Sequence, residues 1–127
     1  MTTVVNENDF LDALDAEIDE NSKWIKITQD ETKRLKFVLR EAPEYKEDTF
    51  RGQGTGVMKT FWITIDVNSS NQKEKIFRTA DKSTRLINKA LRMSKDLVLD
   101  ITREGTGATT VYRPRVVSPK PEYKNQE

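Results

Sequence analysis

The sequence predicts a mainly β domain of five to six antiparallel strands closed into a barrel, with one helix inside the strand order and a short acidic helix ahead of it. Three observations predict it. Period-two alternation recurs in run after run, glycine- and asparagine-rich turns separate those runs, and only two windows carry helical spacing. At 127 residues the chain has the length of a single domain with tails. Its apolar fraction of 35% barely exceeds its charged fraction of 34%, so the few apolar side chains must be gathered on inner faces. Six short strands in an open sheet would leave edges unpaired, which is why a closed barrel is expected.

The elements follow in chain order. Phe10, Leu11, Leu14 and Ile18 fall at helical spacing with carboxylates on the opposite face, which predicts an amphipathic helix over 8–18 capped by Asn6 or Asn8. From Trp24 the period becomes two. Trp24 and Lys26 share the outward row of a short strand over 24–27. A second run over 34–40 places Leu35, Phe37 and Leu39 inward and Arg34, Lys36 and Arg40 outward. Residues 42–56, with Pro43 and glycines at 52, 54 and 56, read as a long mobile loop. The run 57–67 alternates with Val57, Phe61, Ile63, Ile65 and Val67 on the core face, which turns Trp62 outward.

After the turn 68–71, residues 74–79 form a short strand that pairs back. Asp81 or Ser83 caps a helix over 84–93 whose stripe is Leu86, Ile87, Ala90 and Leu91. Strands over 97–103 and 109–117 close the order around a Glu104-Gly-Thr-Gly turn, with Pro114 marking an edge strand, and 118–127 reads as a flexible tail. A helix after the third strand fits a five-stranded Greek-key barrel of OB-like type if 24–27 and 34–40 are one bent first strand. The expected organisation is an arm over 1–20, a barrel over 22–117 and a tail over 118–127.

Composition bounds the chemistry. The chain has no cysteine and no histidine, which removes disulfides, thiolate or imidazole metal sites and every Ser-His or Cys-His pair, so an enzyme is not expected and no cofactor or metal is implied. No apolar run approaches the roughly 20 residues of a membrane span, and a cytoplasmic protein without a membrane partner is expected. The net charge of +1 conceals an uneven distribution. Residues 1–20 hold seven acidic and no basic side chains, −7, while the rest carries all 22 basic residues against 14 acidic ones, +8. A basic body with an acidic arm suits a polyanion ligand, because counterion release rewards a positive surface that the arm can screen.

Single strands bind where aromatic rings stack on bases and cations track phosphates, each stacked base being worth roughly 1–3 kcal/mol. Trp24 and Trp62 are the candidate platforms, flanked by Lys26, Arg34, Lys36 and Arg40. Tyr45, Phe50 and Arg51 lie in the presumed loop, and Arg78, Arg103, Tyr112, Arg113 and Arg115 extend the surface. The competing reading packs either indole over the core. Phe10, Leu14 and Ile18 form a separate stripe suited to docking on a partner. The glycines of 52–56 lack the Lys-Ser/Thr of a phosphate loop and precede a strand, and the acids of the arm lack the spacing of a calcium loop.

The body from Trp24 to Val117 resembles the OB-fold single-stranded-DNA-binding-like proteins of phage and archaeal type. The likeness rests on the Lys-Arg-Leu-Lys-Phe strand, the run Lys-Thr-Phe-Trp-Ile-Thr-Ile-Asp-Val, the helix Ser-Thr-Arg-Leu-Ile-Asn-Lys-Ala-Leu, and the hairpin Leu-Asp-Ile-Thr-Arg-Glu-Gly-Thr-Gly with Thr-Val-Tyr-Arg after it. It implies sequence-independent binding of single-stranded DNA in replication, recombination or repair, in a viral host's cytoplasm if the source is a virus. Replication or assembly proteins, or further copies of the chain, are the implied partners. Bacterial members of the wider class carry an acidic tail at the carboxyl end, whereas here the acids are amino-terminal. Two other readings stand beside it: a structural or adaptor module, as in viral assembly, docking through the acidic helix, and an RNA-binding barrel.

Overall fold

The computed structural model describes residues 7–121, without the side chains at 7–9, 16, 19 and 20. Its order is α1 (Glu7–Asn21), β1 (Thr32–Phe37), β2 (Glu44–Phe50), β3 (Gln53–Asp66), β4 (Glu74–Thr79), α2 (Asp81–Met93), β5 (Val98–Glu104), a 3-10 turn (Gly107–Thr109) and β6 (Val111–Val116). The six strands form one curled antiparallel sheet in the order β2-β3-β1-β5-β6, with β4 paired to β3 off that path. The 14-residue β3 is long enough to pair with β1 at its far end and with β2 along its first half. β1 and β2 therefore act as two halves of one broken first strand, and the connectivity is that of an OB-like barrel. The broken strand is not the expected pairing of 24–27 with 34–40. Residues 42–56 are not a loop either: they form the β2–β3 hairpin, turned on Arg51 and Gly52, both at positive φ.

α2 packs mainly on β6, and the Phe77 and Tyr112 rings meet edge to face at 4.9 Å, bridging β4 to β6 where the sheet itself does not close. Segment 23–27 lies along the free edge of β4: Ile25 donates to the Ile76 carbonyl at 2.8 Å and Ile76 donates to that of Lys23 at 2.7 Å. It forms a single parallel bridge in place of the expected strand. Ile27 is buried beneath it. The core joins Leu35 and Phe37 of β1, Trp62, Phe77, Leu99 and Ile101 to Ile87, Ala90 and Leu91 of α2.

Two inward placements are corrected. β1 leaves its ladder after Phe37, so Leu39 falls past the end of the alternation and is exposed. The face of β3 is reversed: Thr60, Trp62 and Thr64 point inward, while Phe61, Ile63 and Ile65 point outward and Val57 is exposed. Register decides it, since Phe37 sits opposite Thr64 and residues opposite each other share a face. The inward polar atoms are satisfied: Trp62 Nε1 donates to Thr79 Oγ1 at 2.9 Å, and Thr64 Oγ1 donates to the Lys75 carbonyl.

α1 spans more than the expected 8–18, starting at Glu7, so Asn8 lies inside it; Asn6 lies outside the described residues. α2 starts earlier than expected, with Ala80 as its cap residue and no side-chain cap. Asp81 occupies its first turn. Ser83 is buried and accepts a hydrogen bond from the Tyr112 backbone at 2.9 Å. Pro114 lies in β6, an edge strand. The start of the presumed flexible tail is tied down: Lys95 N donates to the Ser118 carbonyl and Lys120 N to that of Met93, both at 2.8 Å. Among the described residues no helix is long and apolar enough to cross a membrane.

Candidate functional site

Hairpin geometry builds the site. The β2–β3 ribbon projects beyond the barrel because β3 outruns β1, and a register shift between Glu47 and Thr49 bends β2. Glu47 reaches across to accept from the Gly56 amide at 2.8 Å. Gly54 makes room for it: a Cβ there would stand 2.3 Å from the carboxylate. On the other side the β5–β6 hairpin turns through Gly105 at positive φ and the Gly107–Thr109 turn. Segment 24–28 and the end of β4 form the floor between the two hairpins.

The space enclosed is a cleft of about 1010 Å³. Among the described residues its wall carries four cations, Lys26, Lys59, Arg78 and Arg103, and one carboxylate, Asp48, together with Trp24 and Tyr112. Asp48 holds Arg78 at 2.9 Å. Lys23 Nζ and the Arg78 guanidinium each lie 5.3 Å from the Trp24 ring, and Trp24 leans on Phe61 with centroids 6.2 Å apart. The indole stays partly exposed in this setting. Arg103 donates through Nη1 to the Ile27 carbonyl at 3.0 Å, while its Nε is buried without a hydrogen-bond partner. An unpaired buried donor costs about 1–3 kcal/mol, a cost carried here at the cleft wall.

Such a wall pairs a cation with an aromatic plane. Arg78 stands between the Asp48 carboxylate and the Trp24 ring, a guanidinium that a phosphate oxygen can also engage, and Lys59 lies on the same outward row of β3 as Phe61.

Of the residues singled out in the sequence, Trp24, Lys26, Arg78, Arg103 and Tyr112 come together in this cleft. The others do not line it. Trp62, 3% exposed, is sealed against Phe37 at a centroid distance of 5.4 Å, so it offers no stacking surface. Arg34 and Arg115 converge instead on Asp100, Arg34 through Nε at 2.8 Å and Arg115 through Nη2 at 2.7 Å. These hydrogen bonds, Arg34's foremost, hold the Asp100 carboxyl below the ordinary carboxylate range against the opposing effect of its burial. Arg113 pairs with Glu104. Arg40 clamps Glu74 with two bonds of 2.7 Å, which likewise lowers the Glu74 carboxyl. Lys36 is exposed on the outward row of β1. Tyr45 donates to Asp81 at 3.3 Å, and Phe50 and Arg51 sit at the β2–β3 tip with the guanidinium 5.2 Å from the Phe50 ring. Phe10, Leu14 and Ile18 are exposed on α1.

Lys59 and Asp48 belong to the cleft and were not singled out in the sequence. Lys59 had a signal: it alternates with Phe61, and the correct face of β3 places it outward. Asp48 had none, because its position depends on the bend in β2.

A second cavity, of about 290 Å³, lies beside the break between β1 and β2, lined by Val38, Leu39, Pro43, Phe61, Ile63 and Ile76. Glu41, Glu44 and Glu74 also line it, so a polyanion is poorly matched there.

No family model, curated protein or solved structure matches the chain.

Proposed function

We propose that the protein binds single-stranded DNA, largely independently of sequence, in the cleft between the β2–β3 and β5–β6 hairpins, and serves replication, recombination or repair. The observation that carries the reading is the cleft wall itself: among the described residues, four cations against one carboxylate around a partly exposed indole. Its position supports the same reading, since OB folds take oligonucleotides on the face of their second and third strands between the loops that correspond to these hairpins. Phosphates track Lys26, Lys59, Arg78 and Arg103, and a base stacks on Trp24 in the place where Arg78 now leans.

The test is a titration with oligo-dT followed by tryptophan emission at two salt concentrations. Trp62 is sealed, so quenching reports Trp24, weakens steeply with salt and disappears in Trp24→Phe. Absence of quenching at low salt refutes the reading. Duplex DNA, too wide for a cleft lined by one indole, competes poorly. Oligo-U as competitor separates the RNA-binding alternative, because stacking alone does not distinguish the sugars.

The adaptor reading keeps one observation of its own, the exposed Phe10, Leu14 and Ile18 stripe. It predicts that alanine at these positions abolishes assembly with a protein partner in a chain that never binds oligo-dT.

A further inference from the structure

α1 carries two features that the body leaves unanswered. Its stripe of Phe10, Leu11, Leu14 and Ile18 is exposed, Phe10 to 65%. Helical spacing sets Asp15 on one side of that stripe and Glu17 on the other, so the apolar row is flanked by carboxylates. The cleft presents the complementary pattern, with Trp24, Ile25, Val57 and Tyr112 among Lys26, Lys59, Arg78 and Arg103. The apolar cavity beside the β1–β2 break carries three glutamates against one lysine, Lys75, and suits an acidic helix less well.

Connection is short as well as complementary. α1 ends at Asn21, and only Ser22 and Lys23 separate it from Trp24 of the cleft wall. That junction is pinned to the barrel by the two backbone bonds of Lys23 and Ile25 to Ile76. A helix tethered by two residues experiences an effective concentration in the millimolar range or above, so weak complementarity suffices for occupancy.

From this we infer that α1 folds back into the cleft of its own chain and competes there with the nucleic acid. The arrangement with the stripe exposed is the open state. In the closed state the stripe covers Trp24 and Val57 while the flanking carboxylates meet Lys26 and Lys59. The inference rests on the cleft being the polyanion site, and it adds that the site is gated by its own amino-terminal helix.

The absence of cysteine allows a single label. A nitroxide on Ala13→Cys in the full chain is expected to broaden the backbone amide signals of Lys59, Arg78 and Ala108 at low salt, equally at all protein concentrations. Oligo-dT should relieve that broadening. The full-length variant Asp12→Asn/Asp15→Asn/Glu17→Gln should bind oligo-dT about fivefold more tightly or better, a coupling of ordinary size. Phe10→Ala/Leu14→Ala should do the same through loss of the stripe. Unbroadened cleft signals overturn the inference, and so does broadening that scales with protein concentration, which places the arm in a second copy. Oligo-dT binding with undiminished broadening also overturns it and leaves the cleft reading intact. Broadening without any oligo-dT binding supports the docking and refutes the cleft as a nucleic-acid site.

Discussion

The cleft and the outward face of β1, β5 and β6 contain the same side chains in opposite circumstances. On the outward face Arg34 and Arg115 share Asp100, and Arg113 has Glu104, so the described guanidinia are held by carboxylates of neighbouring strands. In the cleft, among the described residues, Asp48 is the one carboxylate beside four cations. Counting positive charge along the chain gives both regions equal weight. Only cross-strand register separates them, since Asp100 falls directly opposite Arg34 on one side and Arg115 on the other. Each paired guanidinium must break a carboxylate hydrogen bond before it can take a phosphate, and in the cleft that carboxylate, Asp48, holds Arg78.

The largest effect that tests this contrast is charge reversal in the cleft. Lys59→Glu/Arg78→Glu should weaken oligo-dT binding by about a hundredfold at low salt and lower the salt slope by about one to two units. Lys36→Ala/Arg113→Ala on the outward face should change it less than about threefold. Equal losses in the two variants would erase the distinction between the regions.

Next in size is the loss of the carboxylate that organises the outward face. Asp100→Asn should cost about 1–2 kcal/mol of unfolding free energy at neutral pH, the scale of hydrogen bonds to a charged group, and leave oligo-dT binding unchanged. The pH dependence has a definite sign. The folded carboxyl binds its proton more weakly than the unfolded one, so its stabilisation is complete above about pH 4 and is lost as pH falls through the depressed value. Denaturant midpoints of the two proteins should therefore converge in acid. A gap that stays constant as the pH is lowered through the carboxylate range would mean that Asp100 acts by packing instead of by charge.

The two indoles show how much of this was legible in the sequence. The strand of Glu74–Thr79 and the helix ending at Met93 followed from period and turn chemistry, because turn residues bound each run. The run Phe61-Trp-Ile-Thr-Ile65 sets three large apolar groups on one face and only Trp62 with Thr64 on the other, so its alternation favoured the side that the fold turns outward. Sealing Trp62 requires knowing that Phe37 lies opposite Thr64 and that Thr79 supplies an acceptor for the indole, and both are tertiary facts. Trp24 came out at the cleft by a different route from the one its sequence suggested: it lies in a segment held by one bridge to β4, not in a regular strand. The β2–β3 ribbon was hidden by its composition, since glycines at 52, 54 and 56 mark a loop in sequence but serve a tight turn and the Glu47 contact in the fold.

The smallest effect concerns the Arg40–Glu74 clamp. Its geometry is as good as that of the Asp100 cluster, two bonds of 2.7 Å, but its partners are 53% and 42% exposed where Asp100 is 9% exposed. Water competes for every atom of such a pair, and ordering two long side chains offsets much of the attraction. Arg40→Ala should therefore cost no more than about 0.5 kcal/mol in low salt and nothing measurable in molar salt, where the screening length falls to about 3 Å. A salt-insensitive loss above about 1 kcal/mol would show that the clamp fixes the break between β1 and β2 against β4. The outward carboxylates would then shape the barrel, and not merely neutralise the cations that the cleft leaves in excess.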